Sequence, residues 1–149
     1  MKIVKKVCVG LLIVLALLQF YRPEKNNAET RDITAFEKEM KPGAEITAIL
    51  EANCYDCHSN KTVYPWYAEV APISIWIDHH VEDGVKHFNV SNWNSYTNKK
   101  KDHKLEELIE EVEEGKMPLD SYTWLHGTMS TSEKEALLAW AKKARESYH

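Results

Sequence analysis

Apolar positions along this chain recur mostly at helical spacing. Between Ala44 and Asn53, Ile46, Ile49 and Leu50 fall at i, i+3 and i+4, the stripe of a short helix leading into Cys54. Ile73, Trp76, Ile77, His80 and Val81 follow the same period and predict a second helix from Ile73 to about Phe88. Leu105, Leu108, Ile109 and Val112 predict a third over Asp102–Glu114, with Asp102 placed to cap its start and Gly115 just past its end. A fourth begins near Ser130 or Ser132, each followed three residues later by a glutamate in capping-box spacing. Leu137, Trp140, Ala141 and Ala144 line its inner face. Alternating strand patterns never last beyond a few residues, and there is no internal repeat. The pattern predicts an all-α domain over residues 41–149, its helices bridged by polar segments at 59–71, 89–101 and 116–130. The polar stretch 23–40 reads as a tether.

The N-terminus has a different character. A basic opening, Met1 to Lys6, precedes an uncharged run from Val7 to Phe20, the order of a secretory signal or signal anchor over residues 1–22. Fourteen helical residues rise roughly 21 Å, short of the ~30 Å hydrocarbon core. Tyr21 extends the run as an interfacial aromatic, and Lys5 and Lys6 can snorkel. No small-x-small cleavage site follows Phe20, so the sequence leans towards an uncleaved anchor. Residues from about 24 onwards would then lie outside the cytoplasm, tethered to the inner membrane through residues 5–21. Cys8 precedes the leucine-rich run, where a lipoprotein cysteine would follow it, and reads as a small apolar residue of that helix.

Charge sharpens this division. Residues 1–23 contribute +4 to a formal charge of −4, so residues 24–149 carry −8. An acidic domain is poorly suited to nucleic acid, which is bound by neutralising phosphates with Lys and Arg. Three cysteines in 149 residues do not make a disulfide scaffold.

Two of those cysteines belong to Cys54-Tyr55-Asp56-Cys57-His58, the C-x-x-C-H sequence of c-type haem attachment. Two thiols one helical turn apart can add across the two vinyl groups of one porphyrin edge, and the following His58 then reaches the iron. Two thioethers also remove the need for a large apolar cavity, so a small chain can hold one haem c. Export agrees with this, because bacteria attach haem covalently outside the cytoplasm. Other readings of these residues are weaker. Zinc wants four ligands, and only a site recruiting His79 or His80 would supply them. A thioredoxin-like pair needs a βαβ setting. A disulfide at this spacing on a helix is strained.

With His58 on one side of the iron, the first candidate for the other is Met117. It lies in Gly115-Lys116-Met117-Pro118, between two predicted helices and 59 residues after His58. A loop thioether can swing over an open haem face, where its softness raises the reduction potential. Met129 is the nearest rival. His80 sits on an apolar stripe, where a lone histidine is more often a core residue, while His79 and His87 fall on polar positions. His126 precedes the last helix and can bond near the haem edge. An open iron is the remaining alternative. Pro72 is placed so that a carbonyl near it could accept the His58 Nδ1–H, and a proline there also suits a helix start. Tyr64, Trp66, Tyr67, Trp76, Trp93, Tyr122, Trp124 and Trp140 are candidates to pack on porphyrin or in the core.

These residues together resemble a family of exported bacterial haem-binding domains related to c-type cytochromes. The resemblance covers roughly Pro42 to Arg145. It rests on Cys54 to Asn60, Thr62-x-Tyr64-Pro65-Trp66-Tyr67, Ala71-Pro72, Glu114 to Pro118, Tyr122-x-x-x-His126, Ser132-x-x-Glu135 and Leu137-x-x-Trp140. It implies a monohaem, cytochrome c-like helical domain with His58 proximal and, by analogy with cytochrome c, Met117 distal. Trp140 suits the aromatic that packs the last helix on the first. The Lys-rich stretch Asn98 to Lys104 departs from the pattern as an insertion between helices.

Two functions follow as expectations. An electron carrier needs both axial positions filled and an exposed haem edge, and its acidic surface would prefer a basic redox partner. A haem enzyme, or a gas or peroxide sensor, needs a vacant or displaceable distal position. No distal acid–base set stands out, so the carrier is the leading expectation and no catalytic residue is named.

Overall fold

A computed structural model describes residues 2–149. Among them the chain is helical, with α1 (Lys2–Leu18), α2 (Thr34–Met40), α3 (Gly43–Asn53), α4 (Tyr55–His58), α5 (Ile73–His87), α6 (Asn98–Glu113), α7 (Asp120–His126) and α8 (Thr131–Arg145). Short 3-10 turns occupy Trp66–Glu69, Val90–Ser95 and Glu146–Tyr148. The one extended pairing is an isolated antiparallel bridge between Asn27 and Lys61.

The core joins α2, α3, α6 and α8 through Phe36, Met40, Ile49, Leu50, Leu105, Val112 and Leu137. The striped residues of α3, α6 and α8 face the core as their spacing requires, with Leu108, Trp140 and Ala144 only partly buried. Ser130 starts α8 with a reciprocal capping box to Glu133, which selects it over Ser132. Gly115, at φ 72°, takes the left-handed position just beyond α6.

Three stretches depart from the sequence pattern. The stretch 23–40, expected as a tether, folds against the domain, and its α2 delivers Phe36 to the centre of the core with no exposed surface. Phe36 meets Tyr55, Phe88, Trp93 and Trp140 edge to face at 5.0–6.5 Å. Its neighbours are so polar that only two apolar side chains of this short helix, Phe36 and Met40, are buried, too few for a periodic signal. Trp140 packs against α2 and donates to the Met40 carbonyl at 3.3 Å.

The Lys-rich stretch, expected as an insertion, is the first turns of α6, capped by Thr97 rather than Asp102. Lys101 is buried there, its ammonium 2.7 Å from Glu39 and its charge over the Trp93 ring. Asp102 is free to pair with Arg145 at 2.6 Å. Lastly, the bridging segments 89–101 and 116–130 contain structure of their own. The first buries Val90 and Trp93, and the second forms α7.

No side chain of α1 is buried, and most of its apolar side chains are exposed. Among the described residues no helix is long and apolar enough to cross a membrane.

Candidate functional site

The site is built where α3 gives way to α4. Cys54 breaks α3, and its carbonyl then accepts from Cys57 N at 3.1 Å and His58 N at 2.9 Å. That single turn places the two cysteines three residues apart on one helical face. Its underside is anchored by Tyr55, whose ring is fully buried beside Phe36. Its outer side is held by Asp56, which pairs with Arg31 at 2.5 Å and accepts from Val63 N at 3.2 Å. Ser59 Oγ donates back to the Tyr55 carbonyl at 2.6 Å. The motif is therefore fastened on both sides before any ligand arrives.

His58 is oriented from α5. Its Nδ1 lies 2.9 Å from the Phe88 carbonyl and 3.1 Å from the Gly84 carbonyl. Carbonyls only accept, so Nδ1 carries the proton and Nε2 keeps its lone pair. Burial lowers the His58 pKa and the two carbonyls only partly offset it, so the ring is neutral. A neutral imidazole with a fixed Nδ1–H is a prepared metal ligand. Phe88 caps the end of α5, while the Gly84 carbonyl already accepts from Phe88 N at 2.9 Å and takes His58 as a second donor. The carbonyl near Pro72 does not take this role. Pro72 lies at the opposite end of α5, where it precedes the first helical residue and accepts from Trp76 N at 3.2 Å.

Gly84 makes this approach possible. A Cβ there would lie 2.5 Å from the Cys57 carbonyl oxygen and 3.0 Å from the Cys57 Cβ. Only a residue without a side chain allows α5 to pass this close to the motif. Gly84 has a sequence signal in retrospect, as a lone glycine on the apolar stripe of a helix.

Cys54 and Cys57 are free thiols. Burial, with the neighbouring Cys57 adding to it, pushes Cys54 up to about 12. Burial and the Asp56 charge push Cys57 up to about 11. Reactive redox thiols are instead acidified, the opposite direction to the shift of this pair. Among the described residues no three His, Cys, Asp or Glu side chains gather as a metal cluster, so His79 and His80 do not complete a zinc site.

A second wall comes from α7. Tyr122 Oη donates to the Ala52 carbonyl at 3.0 Å and reaches Asp56 at 3.5 Å, while its ring stacks on His126 at 4.2 Å. His126 Nε2 in turn lies 2.9 Å from Tyr67 Oη, joining α7 to the 3-10 turn at 66–69. Tyr64 is engaged elsewhere, its hydroxyl accepting from Asn26 N at 2.9 Å and its ring lying under Lys25. Trp66 is 81% exposed, next to Tyr67. Met117 is half-buried against the core and follows the end of α6, with its backbone N bonded to Glu111 at 3.0 Å. Met129 is half-buried against the same core. His79 and His87 are exposed.

The residues present fit a haem. Two unpaired thiols and a free imidazole lone pair share one turn, and His80 Nε2 is buried with no hydrogen-bond partner one turn from Gly84. Large apolar side chains on the flanking segments, Val63, Trp66, Ile73, Trp76, Trp124 and Leu125, are left uncovered. A small helical domain with this donor set and this bare apolar rim is a haem-binding module. The family model described as a haem-binding domain matches residues 13–143, and the chain belongs to that family. None of the curated proteins and none of the solved structures matches it.

Proposed function

We propose that this chain is an exported, membrane-tethered carrier of one covalently attached haem c, and that its work is electron transfer rather than catalysis. The observation that carries the reading is the neutral His58, its Nδ1–H spent on two carbonyls and its Nε2 free, one turn from two unpaired protonated thiols. Bound haem iron supplies one-electron redox chemistry. Every other requirement falls to the polypeptide. Cys54 and Cys57 would hold the group covalently through their thiols. His58 would ligate the iron through Nε2, and the Phe88 and Gly84 carbonyls would set its angle and basicity. Met117, on its loop after α6, would be the residue to offer the iron a thioether. Trp66 and the neighbouring apolar rim shed water from the haem edge, which strengthens every charge interaction there. The −8 of residues 24–149 favours a basic face on the redox partner, with association weakened by salt.

The test is covalent haem. Protein matured in a bacterium with haem-attachment machinery should keep a haem stain on a denaturing gel, and Cys54→Ala/Cys57→Ala should lose it. Colourless mature protein, or stain persisting in the double variant, would overturn the reading. Rapid carbon monoxide or cyanide binding by the wild type would favour a sensor or enzyme with an open distal position.

A further inference from the structure

The helix α1 does not lead into a loose leash. Gln19, one residue past its end, uses both halves of its carboxamide on one peptide unit of the domain. Its Nε2 donates to the Ala71 carbonyl at 2.9 Å, and its Oε1 accepts from Ala71 N at 3.1 Å. Arg22 donates to the Glu69 carbonyl, and Lys25 pairs with the Glu69 carboxylate. Val70 shares a groove with Leu12, Leu15 and Ala16 of α1. The chain stays docked from there onwards. Asn26 bonds Ser59 and Thr62, Ala28 N donates to Asn60 at 3.2 Å, and Arg31 reaches Asp56 inside the C-x-x-C-H turn. From Gln19 to Arg31 there is thus a run of contacts ending at the site itself.

The family match points the same way, because it begins at residue 13, inside α1. A disposable export peptide needs no side-chain fit to the mature domain, and cleavage beyond Gln19 would strip Ala71 of both partners. What α1 lacks is cover for its own apolar side chains. A helix hydrophobic all round belongs in a core or in lipid, and this one has no protein core against it.

We infer that α1 is retained as a lipid-embedded helix clamped to residues 69–71, so that the bilayer binds a rigid body and the haem site stands at a fixed height above the membrane. This rests on the anchoring reading proposed above and adds the clamp to it. A carrier held in this way exchanges electrons with partners confined to the membrane surface, without a long diffusive search.

The test uses the full chain, matured and kept in its membranes, beside Gln19→Ala/Glu69→Ala. Alkali-washed membranes should retain wild-type protein whose intact mass includes α1. Trypsin should cut after Lys25 about tenfold more slowly in the wild type than in the double variant, the effect of losing roughly 1.4 kcal/mol of local hydrogen bonding. A helical circular dichroism spectrum of the detergent-extracted variant equal to that of the wild type reports that its domain is folded. A soluble product starting beyond residue 19 would sink anchoring and clamp together. Full-length membrane protein cut equally fast after Lys25 in both forms would sink the clamp alone.

Discussion

His58 Nδ1 donates to the backbone carbonyl of Phe88, 30 residues away, at 2.9 Å. The imidazole's orientation is therefore set by the main chain at the end of α5 and not by any side chain. That arrangement survives only while α5 lies against Cys57, which makes Gly84 the most sensitive position outside the motif.

Gly84→Ala should push α5 from α4, because the added methyl meets the Cys57 carbonyl at 2.5 Å. Overpacking of this kind costs about 1–3 kcal/mol, a fall in Tm of roughly 2–12 °C for a domain of this size. Thermal melts and haem content per chain both check it. A variant that melts with the wild type and carries full haem would show that the two helices separate at no cost.

Phe36→Ala tests whether α2 belongs to the folded domain. Emptying a fully buried aromatic site should cost about 3–5 kcal/mol, a large share of a stability of about 5–15 kcal/mol. Lys38→Ala, on the exposed side of the same helix, should stay within about 0.5 kcal/mol of wild type. Denaturant midpoints decide the matter, and equal midpoints for the two variants would return residues 34–40 to the status of a tether.

Acid should weaken the packing between α2 and α6 through Glu39. Burial alone would raise its pKa from 4.5, but hydrogen bonds from Lys101 and Tyr148 outweigh that and hold it below. A depressed carboxylate pKa stabilises the fold above the ordinary value and loses that contribution as pH falls through the lowered one. With Glu39 partly exposed the pair contributes about 1 kcal/mol at most. Stability measured from pH 6 down to pH 3 should therefore fall less steeply in Glu39→Gln than in wild type. Parallel curves would remove Glu39 from the account.

Met117→Ala should abolish a far-red methionine-to-iron absorption band in the oxidised holoprotein and open the iron to carbon monoxide. Met129→Ala should leave the band in place, although both methionines pack against the core. A band lost only in Met129→Ala would exchange their roles, and a band absent from the wild type would leave His80, with its unpartnered Nε2, as the next ligand to test.

Local spacing determined a good deal of this protein without any structure. The grouping in C-x-x-C-H was legible because two thiols and an imidazole at this spacing share one turn, and that turn is local. The stripes of α3, α6 and α8 were legible because burying one face imposes the helical period on side-chain identity, whereas α5 buries Ser74, Val81 and Gly84 and leaves Ile73 and Trp76 of its expected stripe exposed. The capping glutamate at 133 was legible for a similar reason, since a cap is a three-residue interaction. Tertiary structure decided whatever depended on backbone groups or on isolated side chains. A carbonyl looks alike in every residue, so nothing in the letters separates Phe88 and Gly84 from Pro72 as the partner of His58. Phe36, Lys101 and Tyr122 each have polar neighbours in the sequence and find their partners far along the chain. Periodicity describes a face, whereas these residues act singly, and only the packed chain shows what each one meets.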